Sequence, residues 1–417
     1  MNTKALRLTA ALATATVAVG ALAGCSGGTA GTGDAASGTY TWWDPYPQHA
    51  EGSDWAKRVQ DCGTEAGVTI QRTAYDTTAL TNQALLSAQD GTSPDIILID
   101  NPAVSTLADT GILSTTDDLG LDTSSIDQNL LAAGVLDGKT YGIPIGANTL
   151  ALYYNADVLK AAGVDPASVT DWDSLNAALA KVAATGKKGI TFSGINTEEG
   201  SFQFLPWFWG AGADLSDLSS PEAVEAVTLW KDWLDKGYAP NSVITNSQNT
   251  VWEEFLTGDF AFAENGTWQV NSAAKAGFTA GVIELPAKAG GPAPAPTGGE
   301  FIVAPVQKDT ARYDTTRKII DCMTTPAGFV DTANTFAYYI PPTEEGQTEL
   351  LAEHPDLETW VSAVRAAKGR TSDNLGTDYP LISEQLWTAV QNVLSGTQTP
   401  QQALDAAQTA AAAATGK

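Results

Sequence analysis

The sequence predicts an α/β protein built in two lobes, and three observations carry that reading. Strand-like apolar runs alternate with segments of helical periodicity along the chain. PDIILID, residues 94–100, is a continuous apolar run of strand length, as expected of a parallel strand covered on both faces. About 380 of the 417 residues follow an N-terminal targeting segment and linker, more than one hydrophobic core usually organises.

The elements follow in order. YTWW (40–43) and VTIQRTAY (68–75) read as strands flanking a helix from about Ser53 to Glu65, and Thr78 to Gln89 reads as the next helix. After PDIILID, a turn at Asp137-Gly138 leads to a short strand, a proline at 144 and a second strand-like run ending at Tyr154. Thr170 to Asp173 fits a capping pattern ahead of an Ala/Leu-rich helix, and Ser220-Pro221-Glu222 places proline at a first helical position. The Pro/Gly-rich stretch from Gly290 to Gly299 breaks the pattern and runs straight into the apolar strand FIVA. From about Pro380 the chain is alanine-rich and helical, with Gly396 and Pro400 separating two helices.

Lys4 and Arg7 precede an apolar, alanine-rich run that ends in ALAGCSGG, which is a secretory signal organisation. Leu22 to Cys25 resembles a bacterial lipobox, which implies a signal peptide at 1–24, lipidation of Cys25 and a flexible Gly/Ser/Thr linker at 25–38. The expected location is outside the cytoplasmic membrane, on its outer face, held by the N-terminal lipid only. Losing Lys4 and Arg7 leaves 20 basic residues against 48 acidic ones, a net charge of −28 that makes nucleic acid and anionic membrane surfaces poor partners.

Besides Cys25 only Cys62 and Cys322 remain, and in an oxidising compartment this pair reads as one disulfide rather than two free thiols. The only histidines, His49 and His354, lie far in sequence from the cysteines and no metal-ligand spacing occurs, so neither a metal nor a cofactor is expected. No nucleophile elbow, phosphate-binding loop or dinucleotide fingerprint is present. Glu253 and Glu254 are sequence neighbours that a helix points to different sides, so they read as a solvated face and not as an acid/base pair.

Tryptophan is frequent, at 12 residues, and several tryptophans sit beside polar planar side chains, in WWDPYPQ, in GTW and near FLPWFWGAG. A sugar ring presents an apolar C–H face and a rim of hydroxyls, so its site needs aromatic platforms with Asp, Asn, Gln, Glu or Arg at the edge. Trp55, Trp172, Trp230, Trp233, Trp252 and Trp360 lie in helical patterns and read as packing.

GTSPDIILID, DGKTYGIPIGANTLALYYNADVLKAAGV with TDWDSL, LTGDFAFAENGTWQV, GGEFIVAP and SGTQTPQQALDAAQ, in that order, resemble the extracellular solute-binding proteins of carbohydrate ABC importers, such as the maltose- and maltodextrin-binding proteins. The resemblance covers essentially the whole chain from Thr39. It implies a type II periplasmic-binding-protein-like fold, with 39–145 plus 300–337 forming lobe 1, 146–299 plus 338–417 forming lobe 2, and a multi-crossing hinge between them. Both Cys62 and Cys322 then fall in lobe 1.

The implied function is capture of a mono- or oligosaccharide by lobe closure and its delivery to membrane permease subunits, by a monomer that is not an enzyme. A binding protein for a non-sugar solute and a secreted glycoside hydrolase are the alternatives. Carried over residue by residue, the resemblance places Asp44, Tyr46 and Gln48 after the first strand, and Asp100 at the end of PDIILID, in the cleft beyond the strands' carboxyl ends. Asn148 follows GIPIG. Trp268 in ENGTWQV matches a tryptophan that the family stacks on sugar. Glu300 follows a glycine pair, Arg370 offers a forked donor, and Phe202 stands at the cleft end of a helix capped by Ser201 with Trp207 further in. Plain turn packing for Tyr46, strand-edge exposure for Glu300 and surface ion pairing for Arg370 are the competing structural readings.

Overall fold

The computed structural model describes residues 38–335, 339–373 and 375–417. The expected signal peptide, Cys25, nearly all of the linker and the lobe boundary at 337–338 lie outside the described residues. Among the described residues eleven strands appear in chain order: β1 (Thr39–Asp44), β2 (Thr69–Ala74), β3 (Ile96–Asp100), β4 (Val135–Leu136), β5 (Lys139–Thr140), β6 (Ile143–Pro144), β7 (Leu150–Asn155), β8 (Lys188–Thr191), β9 (Phe260–Gly266), β10 (Ala280–Ile283) and β11 (Glu300–Val303). Helices and short turns separate most of them.

Two mixed sheets organise the chain. The first has the order β2-β1-β3-β11-β6, with β1 parallel to β2 and β3 and with β11 antiparallel to β3 and β6. Alternate residues of β3 serve opposite faces, as strand geometry requires. Ile96 and Leu98 join Trp42, Trp55, Ile302 and Met323 on one side, while Ile97 and Ile99 join Leu80, Leu107, Phe301 and Val303 on the other. This double coverage explains why PDIILID is apolar without alternation.

The second sheet has the order β10-β7-β9-β8. Leu150, Leu152 and Phe262 face a large core that takes in Phe204, Trp207, Trp230, Trp233 and the two C-terminal helices, Tyr379–Leu394 and Pro400–Thr415. Ala151, Tyr153 and Ala263 face another core with Trp252, Phe255 and Trp360. The six tryptophans assigned to packing from their helical context are all buried.

Three segments cross between the sheets and pair side by side. Ala147 and Ile340 exchange both backbone hydrogen bonds, each 2.8 Å, and Asn148 exchanges a pair with Gly298, 3.2 and 2.8 Å. Ile145 N–H donates to the Glu300 carbonyl at 3.1 Å, so the crossing strands leave the first sheet as a narrow ribbon. Gly299 has φ +103°, and a Cβ there would lie 2.7 Å from the Gly146 carbonyl oxygen, so glycine is needed for this close approach.

Local signals were right in kind and displaced in detail. The helix Trp172–Ala184 is capped by Asp171, whose side chain accepts from Ser174 N–H in a reciprocal capping box, not by Thr170. Pro221 takes the first position of the helix Pro221–Asp235 as expected, and Ser220 caps it. The helix Glu198–Gly210 begins after Thr197, so Ser201 is inside it and donates instead to the Ser383 carbonyl at 3.2 Å. Pro206 is therefore in the third turn, where the helix gives up one hydrogen bond.

Cys62 and Cys322 are bridged, joining the helices Asp54–Glu65 and Tyr313–Thr324 against the first sheet. The bridge spans a sequence separation of 260 residues, so the unfolded chain loses much freedom when it forms. Cys62→Ser with Cys322→Ser is expected to cost about 2–4 kcal/mol in urea unfolding. Ligand affinity should stay unchanged, because neither cysteine lines the cleft.

Candidate functional site

A cavity of about 1090 Å³ is lined by residues from the ends of both sheets, beyond the carboxyl end of β3 and beside the crossing ribbon. From the first sheet and its loops come Tyr46, Gln48, His49, Asp100 and Glu300. The opposite wall is built from the start of the helix Glu198–Gly210, the start of the helix Gln248–Leu256, Trp268 and Asn271 after β9, and Trp387 of the helix Tyr379–Leu394. Asn148, Gly298 and Tyr339 line it from the crossing segments, and Arg370 from the loop after the helix Glu358–Ala366.

Of the residues expected in the cleft, Tyr46, Gln48, Asp100, Asn148, Phe202, Trp268, Glu300 and Arg370 converge on this cavity. Two do not. Asp44 is fully buried, and its carboxylate accepts from the Trp42 and Trp55 indoles at 3.0 and 3.2 Å, from the Arg72 guanidinium at 2.5 and 2.7 Å, and from Tyr46 N–H at 3.1 Å. Its lone pairs are taken up by the protein, and it anchors the Tyr46 turn from behind. Trp207 is also fully buried, its indole donating 2.7 Å to Glu264 Oε2 and its ring packing edge-on against Trp233. Helical phase accounts for this, because five residues carry the chain to a different side from Phe202.

The aromatic wall is formed by Phe202 and Trp268, with ring centroids 6.4 Å apart and planes tilted by 42°. A Cβ at Gly266 would sit 2.0 Å from the Trp268 ring, so glycine at the end of β9 lets the indole fold back over the strand. A Cβ at Gly298 would meet Asn148 Oδ1 at 1.9 Å and Phe202 Cζ at 3.0 Å, so a second glycine makes room for the amide and the ring. These glycines fix the platform as surely as the aromatic residues do.

Arg370 is buried and joins groups from both walls. Its Nη1 donates to Glu198 Oε1 at 2.7 Å, and its Nη2 donates to Asp100 Oδ1 at 3.2 Å and Asn101 Oδ1 at 2.9 Å. The guanidinium also lies 5.0 Å from the centroid of the Phe202 ring. Burial works against its charge, but Asp100 and Glu198 outweigh it and the pKa rises. Arg370 is thus neither a surface pair nor an open fork. Tyr379 and Ser383 hydroxyls donate to Glu198 as well, at 2.6 and 2.5 Å.

Glu300 stands opposite Asp100 in the β11–β3 register, so both side chains leave the same face of the sheet. Burial, and then the Asp100 charge, push its carboxyl up to about 7, while the Tyr46 and Tyr339 hydroxyls pull it back. The folded state holds this proton more tightly than the unfolded chain, so the group's contribution is full below about 4.5 and is lost as pH rises through about 7. Glu300→Gln should therefore raise the unfolding free energy more at pH 8 than at pH 5, by up to about 3 kcal/mol. Thermal melts across that range check it.

Glu198, Glu199, Gln248, Asn249, Asn271 and Trp387 line the cavity without having been singled out from sequence. Trp387 lies four residues after Ser383 on one helix face, and Ser383 bonds to Glu198, a contact 185 residues apart in sequence that no local pattern marks. Glu254 is half-buried and accepts from Thr191 and Ser242, at 3.1 and 2.8 Å, whereas Glu253 is exposed. Only Glu253 fits the solvated face expected of the pair, and neither lines the cavity. Among the described residues no three or more histidine, cysteine or carboxylate side chains gather as metal ligands, and no helix is long and apolar enough to cross a membrane.

A model of the bacterial extracellular solute-binding protein family matches residues 57–359. A maltooligosaccharide ABC transporter solute-binding lipoprotein of Streptococcus pneumoniae is 25% identical over 311 residues, covering 72% of each chain. An sn-glycerol-3-phosphate-binding periplasmic protein of Salmonella typhimurium is 28% identical over 298 residues, covering 65% of this chain and 66% of that one. A binding protein of Brucella abortus is 35% identical over 141 residues, and the chain spans only a third of that relative's length, 33%. In three dimensions the chain superposes on the GacH receptor of Streptomyces glaucescens, solved unliganded and with acarbose, with a TM-score of 0.79 at 23% identity, covering 90% of this chain and 98% of that one. The two-lobe fold of periplasmic sugar-binding proteins is shared.

Proposed function

This chain belongs to the bacterial extracellular solute-binding protein family, and we propose that within it the cleft captures an oligosaccharide for an ABC importer. The observation that carries this reading is the cavity wall itself. Phe202, Trp268 and Trp387 supply ring faces, and Gln48, Asn148, Asn249, Asn271 and the carboxylates supply a rim of planar hydrogen-bonding groups. Its volume of about 1090 Å³ is at the top of the range for small-ligand pockets, which favours two or more sugar rings over one.

Capture is by closure. Ligand that touches both walls only when they approach stabilises the closed form by its differential affinity, and Arg370 already spans Asp100 and Glu198 across the cleft. The sugar leaves unaltered, so prolonged incubation with a bound oligosaccharide should release no shorter product. Cys25 carries the lipid anchor, and membrane permease subunits receive the closed form. A phosphorylated solute fits less well: four carboxylates line the cavity, and its one guanidinium is already paired with two of them.

The test is a thermal-shift screen of the purified mature protein against mono- to tetrasaccharides and glycerol phosphates. The expected result is a rise in Tm with at least one oligosaccharide. A rise with glycerol phosphate alone would overturn the reading.

A further inference from the structure

Trp268 presents its ring to the cavity from a segment that has already left the sheet. β9 ends at Gly266, and the short turn Thr267–Gln269 carries the indole back over the strand end. The pose of the ring therefore depends on how the Gly266 peptide groups are held, and two buried side chains hold them. Tyr153 of β7 donates its hydroxyl to the Gly266 carbonyl at 2.9 Å, and Asn265 Oδ1 accepts from Gly266 N–H at 3.0 Å. Asn265 alternates with Ala263 along β9, so its side chain leaves the sheet on the face of the apolar core that holds Tyr153, Trp252 and Trp360. An amide there costs stability unless both its ends are bonded. Its other end, Nδ2, donates 3.0 Å to the Gln248 carbonyl, and Gln248 N–H in turn donates to the Glu199 carboxylate. Asn265 thereby ties the strand end to the starts of both helices that line this wall. The Tyr153 ring packs against Trp252 and Trp360 with centroids 4.8 and 5.4 Å away, contacts that phenylalanine would keep, so what its hydroxyl adds is the bond to Gly266.

We propose that Asn265 and Tyr153 are positioning residues for sugar binding: behind the cavity wall, they hold the two polar groups of Gly266 and so set the pose in which Trp268 meets the ligand. The proposal rests on the oligosaccharide reading above and extends it to residues that touch no ligand. The far end of the same segment is pinned separately, because Trp252 Nε1 donates to Ser272 Oγ at 2.8 Å. With that end fixed, freeing the Gly266 peptide lets the turn at 267–269 rotate and tips the indole out of its place beside Phe202. A ring held in its binding pose beforehand loses little freedom when the sugar arrives, and that advantage is what the two bonds supply.

The experiment is a double-mutant cycle on the mature protein. Wild type, Tyr153→Phe, Asn265→Ala and each of these combined with Trp268→Ala are titrated calorimetrically with glucose chains of two to four rings. Fluorine spectra of the wild type and the two single variants, labelled with fluorotryptophan and free of ligand, report the indole itself; the Trp268 signal is the one missing from Trp268→Phe. Tyr153→Phe should weaken binding about three- to tenfold, and Asn265→Ala about tenfold or more. In the Trp268→Ala background each loss should shrink to within about twofold, because the residue acted through the missing ring. The Trp268 signal should shift in both variants. Equal fold losses in the two backgrounds, or an unmoved Trp268 signal, overturn the proposal and leave Asn265 and Tyr153 with a role in stability alone. A wild type that binds none of these chains counts against the sugar reading, and the ligand-free fluorine signal then decides the positioning role by itself. Should Asn265→Ala not fold, Tyr153→Phe, which removes a single oxygen, still decides.

Discussion

Trp268→Ala is expected to lower oligosaccharide affinity by about 30-fold, the effect of removing a tryptophan hot spot worth about 2 kcal/mol. Trp268 is half-buried at the cavity wall and packs only in part against the large core that holds Leu150 and Phe204, so its loss opens more ligand surface than core. The unfolding midpoint should fall by no more than a few degrees, as expected for a cost near 1 kcal/mol in a domain of this size. Calorimetry with melts on the same samples separates the two effects. An affinity within twofold of the wild type would remove Trp268 from the site.

Arg370→Met should do more. It keeps a side chain of similar reach but strips the cation from Asp100 and Glu198, which are 25% and 32% exposed around a guanidinium that is 3% exposed. Breaking a buried pair from one side leaves uncompensated charge, which costs about 3 kcal/mol or more. Here the loss falls on the contact between the two cleft walls, and Phe202 loses the cation lying against its ring. Urea unfolding should register the destabilisation, and sugar binding should become undetectable at concentrations that saturate the wild type. Arg370→Lys should recover part of the stability and little of the binding, because one ammonium cannot fork to Glu198, Asp100 and Asn101 together.

Much of this site was legible in the sequence, and the parts that were not share a cause. Asp100, Asn148, Trp268 and Glu300 sit at strand ends or beside glycines, where sequence marks the place directly. Asp44 looks the same in sequence, but Trp42 and Arg72 are register partners on β1 and β2, and that pairing brings the guanidinium to the carboxylate. Nothing local to WWDPYP reveals a partner 28 residues away. Arg370 was readable as a forked donor, yet which carboxylates it serves depends on Asp100 and Glu198 arriving from opposite walls. Trp207 was recoverable from helical phase, whereas Trp387 was not, because Ser383 beside it meets Glu198 only in the folded chain. The alternation of strands and helices gave the architecture, whereas the order of strands in each sheet came from the crossings at 144–150, 296–300 and 339–341, which no periodicity encodes.

On the proposed function, the cleft holds an oligosaccharide between its two walls without altering it. Calorimetric titration of the mature protein with sugars of increasing chain length tests it most directly. Saturable one-to-one binding is expected, tightening from one ring to two or more and weakened in Trp268→Ala. Binding that is insensitive to chain length and to Trp268, or that appears only with phosphorylated solutes, would contradict it.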